Sequence, residues 1–395
     1  MKKVCCITSS RAEYSRLKSV FQHINKSENL ELQVVCAGSH LLDRYGMTKN
    51  DILRDGFRID YECDILVEGE TPATMSKSLG LAIIEFTAAL SNLKPDILLV
   101  LGDRFEAVAS ALTGAIMNIP VAHIQGGEIS GSIDESFRHV ITKLSHIHFP
   151  STELSRKRII SMGEDPSYVF NVGCPAVDGF MQVSIQTPEK LFSNKIFESI
   201  MAKSTFSLED GYLLCCFHPV TSEYEEANVQ TVELLKALFP LKKHVLWFWP
   251  NVDAGARKIV KGFDHFFLKN SKNYFDHIDH VPFELFVSIM ANCSLMIGNS
   301  SAGIREACYF GVPVVNVGNR QADRERPKNV VDVECKENMI SRAITLQINK
   351  KYPVEHLYGD GNSAKLIVKY LSEVRINNVQ KKFVDNFHQN LYSGD

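Results

Sequence analysis

Short, nearly continuous apolar runs recur along the chain at residues 4–8, 30–37, 96–101, 120–124 and 147–150. Runs of this length without polar alternation predict strands of a parallel sheet that is covered on both faces. Between them the apolar positions fall at helical spacing. This predicts helices over 12–24, over 72–93 with the stripe Met75, Leu79, Ile83 and Phe86, over 105–117, and over 132–145, which opens on small and acidic residues. Residues 168–172 read as a closing strand. Gly173, Pro175 and Gly179 then break the rhythm, so 173–179 is assigned as a linker, followed by a polar helix-like segment over 188–203. The alternation resumes with strands at 212–217, 244–249, 275–281, 294–297, 314–317 and 330–333. Helices are predicted at 223–238, 282–291, 302–310, up to about 349, and 363–374. The expected class is α/β, with two Rossmann-like doubly wound domains facing one cleft. The first is placed at 1–175 and the second at 176–363. The tail, rich in Asn, Lys and Gln, either packs across the first domain, with a helix within 364–395 completing it, or is loose.

A chain of 395 residues exceeds one ordinary core, which agrees with two domains. Its 45% hydrophobic and 23% charged content is that of a soluble globular protein. A formal net charge of -3 with no basic tract argues against a nucleic-acid partner. No apolar run approaches a membrane span. Met1-Lys2-Lys3 leads directly into a strand, with too short an apolar stretch for a signal peptide, so a cytoplasmic protein is expected. The ten cysteines contain no Cys-x-x-Cys. Cys5-Cys6 and Cys215-Cys216 lie in strand-like runs, where adjacent side chains point to opposite faces and cannot easily pair. Buried free thiols are expected, and no Cys/His cluster has zinc-ligand spacing, so no metal is expected.

The chemistry-bearing residues sit where predicted strands end, the edge at which doubly wound sheets bind ligands. Gly298 ends a strand, and Asn299, Ser300 and Ser301 are cap types at a helix start, where backbone N–H groups suit a phosphate. Glu306, one turn in, can accept from ribose hydroxyls, and Arg320, Arg324 and Arg326 come next on a polar loop. Arg11 stands at another helix start and can take a phosphate. The loop at 9–14 lacks Gly-x-Gly-x-x-Gly, so a nicotinamide cofactor is not indicated. His40, Asp103, Arg104, Gln125, Glu128, Asp134, His218 and Asn251 also lie just after predicted strands. Each alone is ordinary cap or loop chemistry. Together, Asp103, Glu128, Asp134 and His218 form a candidate set for general acid–base work, with cations to hold a leaving phosphate.

These residues lie in SRAEYSRL (10–17), GSHLLDRYG (38–46), GDRFEA (102–107), GGEISGSIDESFRH (126–139), FHPVT (217–221), NVDAG (251–255), GNSSAGIRE (298–306) and GNRQADR (318–324). The ordered set resembles the hydrolysing UDP-N-acetylglucosamine 2-epimerases, both the bacterial sialic-acid-pathway enzymes and the epimerase half of the bifunctional animal enzyme. The resemblance covers almost the whole chain. It implies a glycosyltransferase-B-type fold and cleavage of the sugar–UDP bond with inversion at C2, without metal or nicotinamide. Anti elimination of UDP would give a 2-acetamidoglycal, and syn addition of water the free manno sugar. By the same resemblance Arg11, Arg104, Asn299, Ser300, Ser301 and Arg320 would hold UDP, Glu306 the ribose, and the backbone at Val281 and Phe283 the uracil. His40, Gln125 and Asn251 would face the sugar. Asp103 and Asp134 align with acidic residues that the family uses in catalysis. A homodimer or homotetramer is expected by the same analogy.

Two departures stand out. Many members have Glu where this chain has Gln125, and Gln cannot act as a general base. The segment after Arg257 lacks the arginines through which the animal enzyme takes feedback from CMP-sialic acid, so no such feedback is expected, nor is a kinase half. The leading substrate is UDP-N-acetylglucosamine, giving N-acetylmannosamine. The alternative is UDP-2,4-diacetamido-2,4,6-trideoxyglucose, on the route to legionaminic acid. A non-hydrolysing epimerase, a glycosyltransferase of the same fold and a catalytically silent UDP-sugar sensor are the competing readings.

Overall fold

The computed structural model describes residues 1–69, 71–201, 211–250, 253–279, 281–348, 350–376 and 378–385. The first sheet comprises β1 (Lys2–Thr8), β2 (Leu30–Ala37), β3 (Tyr61–Cys63), β4 (Ile97–Leu101), β5 (Val121–Ile124) and β6 (Ile147–Phe149). The second comprises β7 (Tyr212–Cys216), β8 (His244–Phe248), β9 (Phe275–Ile278), β10 (Leu295–Gly298), β11 (Val314–Val317) and β12 (Val330–Val333). Their orders are β3-β2-β1-β4-β5-β6 and β12-β11-β10-β7-β8-β9, and every pair is parallel. The two sheets therefore share one topology, and in each the winding reverses beside its first strand, between β1 and β4 and between β7 and β10. Crevices form outside the carboxyl ends at such points.

Helices cover both faces of each sheet, which is why its strands carry no polar alternation. Cys6 packs with Leu17, Phe21 and Leu99 on one face of the first sheet, and neighbouring Cys5 with Phe86, Leu90 and Leu98 on the other. Cys215 and Cys216 divide the same way in the second sheet. All ten cysteines are free thiols, nine of them buried. Among the described residues no helix is long and apolar enough to cross a membrane.

Part of the stretch assigned as a linker is helical. Pro175–Gln182 is a helix with proline at its first position, packed against the helix Arg11–Asn25. Proline there marks a helix start rather than a break, since the missing N–H has no partner in the first turn anyway. Residues 168–172 form no strand; Val169 makes one isolated bridge to His148. The helix expected over 302–310 is the single-turn helix Ser301–Arg305 and then the 3-10 turn Ala307–Phe310. The three-residue β3 and the helices Glu153–Ser161 and Ala256–Phe267 extend the pattern read from sequence. The segment expected over 188–203 contains the helices Pro188–Phe192 and Lys195–Met201, its last two residues lying outside the described residues, as does Asn349.

Near its end the chain returns to the first sheet. The helix Ser363–Glu373 places Ala364, Ile367 and Leu371 in the core beside Leu17 and Phe21. Tyr370 stacks on Phe170 with centroids 4.0 Å apart, and the Lys2 ammonium donates to the carbonyls of Leu371 (2.9 Å) and Val374 (2.8 Å). Outgoing and returning crossings touch, with Cys174 N–H donating to Tyr358 O at 2.7 Å. A Cβ on Gly173, at φ 83°, would sit 2.9 Å from the Gly359 Cα. Trimming one methyl from the returning helix, Ile367→Val, is expected to cost about 0.5–1.5 kcal/mol, read as a lower urea midpoint at unchanged slope.

Candidate functional site

A cleft of about 440 Å³ runs between the sheets at their carboxyl edges, in the range that holds small ligands. Its wall on the second sheet begins where β10 stops. Gly298 has φ 129°, and a Cβ there would lie 2.1 Å from Cys216 O, so only glycine lets β10 end so close to β7. Ser300 Oγ then accepts from Ala302 N–H (3.3 Å), and Ser301 opens the turn of helix. Arg16 reaches over from the first sheet's side and donates to Ser301 Oγ (3.0 Å). Arg320 Nη1 donates to Asn299 O (3.1 Å). Arg11, Arg16, Arg320, Ser300 and Ser301 thus face the same space. Glu306 lines it too; burial raises its carboxyl, and its Oε2 has no hydrogen-bond partner among the described residues. Phe180 and Phe283 (centroids 5.2 Å), with Val281, Phe248 and Phe286, make an apolar slot in its lining.

The opposite wall carries two of the proton-transfer candidates, Asp103 and Asp134. Asp103 lies just after β4 and is held by Arg138, which is fully buried. Arg138 also donates to Glu128 O (2.8 Å), Ser130 Oγ (2.9 Å) and Glu135 Oε2 (3.0 Å). Burial alone would raise the Asp103 carboxyl, but the charges of Arg138, Arg324 and Arg305 outweigh it and hold it well below the usual carboxylate range. Asp134 begins the helix that carries Arg138 and accepts from Ser132 Oγ (2.8 Å). Burial, then the nearby Asp103 charge, lift it to about 6. His218 lines the cleft as neutral imidazole, because burial and then Arg320 pull it down to about 3. The first sheet's wall therefore holds a fixed anion and a group that exchanges protons near neutrality, and His218, just past β7 on the second sheet's wall, adds a neutral donor–acceptor.

Arg104 lies on the wall with its guanidinium held by Glu106 (two bonds of 3.1 Å) and by Asp253 (2.8 Å) from the second sheet's side. Four expected site residues stand elsewhere. Asn299 is buried behind the wall, where its amide accepts from His218 N–H (2.7 Å) and donates to His218 O (2.8 Å), bracing β7 to β10. His40 is buried between Thr8 Oγ1 (3.0 Å) and Thr48 Oγ1 (2.7 Å), and burial holds it at about 3. Gln125 is fully buried at φ 67° with its amide on Cys174 Sγ (2.9 Å). Glu128, expected in proton transfer, is 2% exposed and is clamped by Arg305 (2.5 Å) and Arg324. These arginines overcome the raising effect of burial and hold it at about 2. Its carboxylate is off the cleft wall, because two guanidinium groups take it first. Asn251 lies outside the described residues.

Arg16, Arg138, Arg305 and Asp253 join the site without a signal of their own in the strand pattern. All four fall inside the sequence motifs that carry the family resemblance. Arg138, four residues after Asp134 on one helix, could be placed on the same face from spacing alone.

A family model described as UDP-N-acetylglucosamine 2-epimerase matches residues 22–372. A hydrolysing UDP-N,N'-diacetylbacillosamine 2-epimerase of Legionella pneumophila is 33% identical over 95% of this chain and 96% of its own. The UDP-N-acetylglucosamine 2-epimerase of Neisseria meningitidis is 31% identical over 98% and 99%. Among solved structures, UDP-GlcNAc 2-epimerase from Neisseria meningitidis bound to UDP-GlcNAc aligns with TM-score 0.75 at 20% identity, covering 93% of this chain and 99% of that one. The Methanocaldococcus jannaschii enzyme in complex with UDP-GlcNAc and UDP aligns at 0.78 and 20%, covering 94% and 99%. The expectation from sequence holds, and the chain belongs to the UDP-N-acetylglucosamine 2-epimerase family.

Proposed function

We propose that the chain is a hydrolysing UDP-sugar 2-epimerase. The observation that carries this reading is the pairing of an ionised, arginine-held Asp103 with an Asp134 poised at about 6, across the cleft from Ser300, Ser301 and Arg320 of the other wall. In the first step the Asp134 carboxylate takes the C2 proton. The C2–H electrons form the C1=C2 bond, and the C1–O bond breaks with its electrons leaving on UDP. Arg11, Arg16, Arg320 and the Ser300–Ser301 groups take up the diphosphate charge, and neutral His218 offers a hydrogen bond to it. Asp103 stabilises positive charge developing at C1. In the second step water adds its hydroxyl to C1 and a proton reaches C2 on the face opposite the one it left, which inverts C2. Glu306 suits the ribose hydroxyls, and the slot at Val281 and Phe283 suits the uracil.

The reading includes two substrates, with UDP-N-acetylglucosamine first and the 2,4-diacetamido-trideoxy sugar second, feeding synthesis of sialic-acid-type sugars. The Legionella and Campylobacter relatives, named for diacetylbacillosamine, favour testing both. We infer as well a cytoplasmic homodimer or homotetramer, with residues 1–175 and the returning helix as one domain and 176–363 as the other. Proton NMR in deuterated water, with each UDP-sugar in its own tube, is the test. Free manno sugar, UDP and deuterium at C2 are expected, and the faster tube names the substrate. Appearance of a UDP-sugar epimer instead overturns the hydrolytic reading.

A further inference from the structure

The loop over 126–134 leaves β5 and ends on Asp134, so it belongs to the first sheet's unit. It is nevertheless fastened to the second unit at two points. Glu128 Oε2 accepts from Arg305 (2.5 Å) and from Arg324, and the three residues are 2%, 2% and 5% exposed. Three residues on, Gly131 N–H donates to Arg320 O at 3.1 Å. A Cβ on Gly131 would lie 1.8 Å from Asn319 O, so the units approach as closely there as backbone allows. Arg305 ends the helix that Ser301 opens. The same single turn therefore presents a serine to the cleft at one end and grips Glu128 with the other.

We propose that Glu128 is a positioning residue: with Arg305 and Arg324 it forms an ionic latch that brings Asp134 into register with the bound UDP-sugar when the two units close. The proposal deepens the epimerase reading and rests on it. Glu128 is off the cleft wall, out of reach of a sugar proton that a general base must touch. A buried ion pair adds little net stability compared with apolar packing, and its best-attested use is to specify one arrangement. That arrangement matters in this reaction. The glycal between the two steps is neutral, and no covalent bond retains it. A latch that stays shut through elimination keeps the glycal beside Asp134 until water adds, and a loosened latch lets it leave with UDP.

The test uses the full-length chain with E128Q, R324Q, R324K and the double variant E128Q/R324Q. Calorimetric titration with UDP reports an intact fold and nucleotide site, and each variant is expected to bind UDP as wild type does. Turnover is expected to fall about ten- to a hundredfold in E128Q and R324Q, the cost of a small misplacement. The fraction of product released as glycal, read by proton NMR, is expected to rise. R324K should recover part of both losses. The double variant should be no worse than the worse single one, since the residues act as one unit. Small-angle scattering with saturating UDP reads closure without turnover, and E128Q should remain more expanded than wild type. Wild-type rate, partition and scattering in E128Q would overturn the latch. So would loss of C2 deuterium exchange in E128Q with exchange intact in R324Q, which would make Glu128 the proton-transfer group. A wild-type chain that yields no free sugar overturns the functional reading, and scattering then decides the latch separately.

Discussion

An Asp134→Asn variant is expected to lose kcat by on the order of a thousandfold while binding UDP as wild type does, as for removal of a general base. The substitution keeps shape and the hydrogen bond from Ser132, so the melting temperature should move little. The wild-type pH profile carries the same information. The base works as carboxylate, and the Asp134 carboxyl sits at about 6. Activity should therefore be level above that value and fall about tenfold per pH unit below it. His218 lies at about 3 and stays neutral across that range, so it adds no inflection. Asn cannot ionise, and residual turnover in the variant should lose the step near 6. A step that persists in the variant would assign it to another group.

The second large effect is on the fold. Arg138→Met is expected to destabilise the protein by about 3–5 kcal/mol in denaturant titration, the cost of stranding the partner of a buried ion pair. It removes the donors on Asp103, Glu135, Ser130 Oγ and Glu128 O together. Arg138→Lys should recover part only, because one ammonium cannot replace a planar fork serving four acceptors. Acid stability checks the pairing. Asp103 has a depressed value in the folded chain, so its contribution is complete above the unfolded value of about 3.9 and is lost as pH falls through the lower folded one. The gap between wild type and Arg138→Met should narrow on that descent.

Both sheets are legible in the sequence because helices on either side strip polar alternation from their strands, leaving runs such as Ile97–Leu101 that admit one reading. The residues just past each strand then mark the cleft, since topology alone sends Asp103, Asp134, His218 and Ser300 to one edge. The same rule reaches too far at His40, Gln125, Asn299 and Glu128. Chain position places a residue near a carboxyl edge but does not say whether its side chain meets solvent or a neighbour. His40 finds two threonines, Asn299 finds a backbone, and Glu128 finds two arginines brought from the other sheet. Arg16 and Asp253 escape for the complementary reason: their partners, Ser301 and Arg104, lie far away in sequence. Within the stretch assigned as a linker, the helix at 175–182 is missed because Gly173 and Pro175 look alike as breakers, although one permits a tight crossing and the other begins a helix.

The returning helix has a consequence for how the protein is made. A ribosome releases the first six strands well before Ile367 and Leu371, yet those side chains belong to the core those strands enclose. The earlier-made half must wait, with an apolar trough open beside Leu17 and Phe21, while the later-made half completes its own sheet. Birth order and completion order are thus reversed. Arrival of the helix is the event that closes the trough.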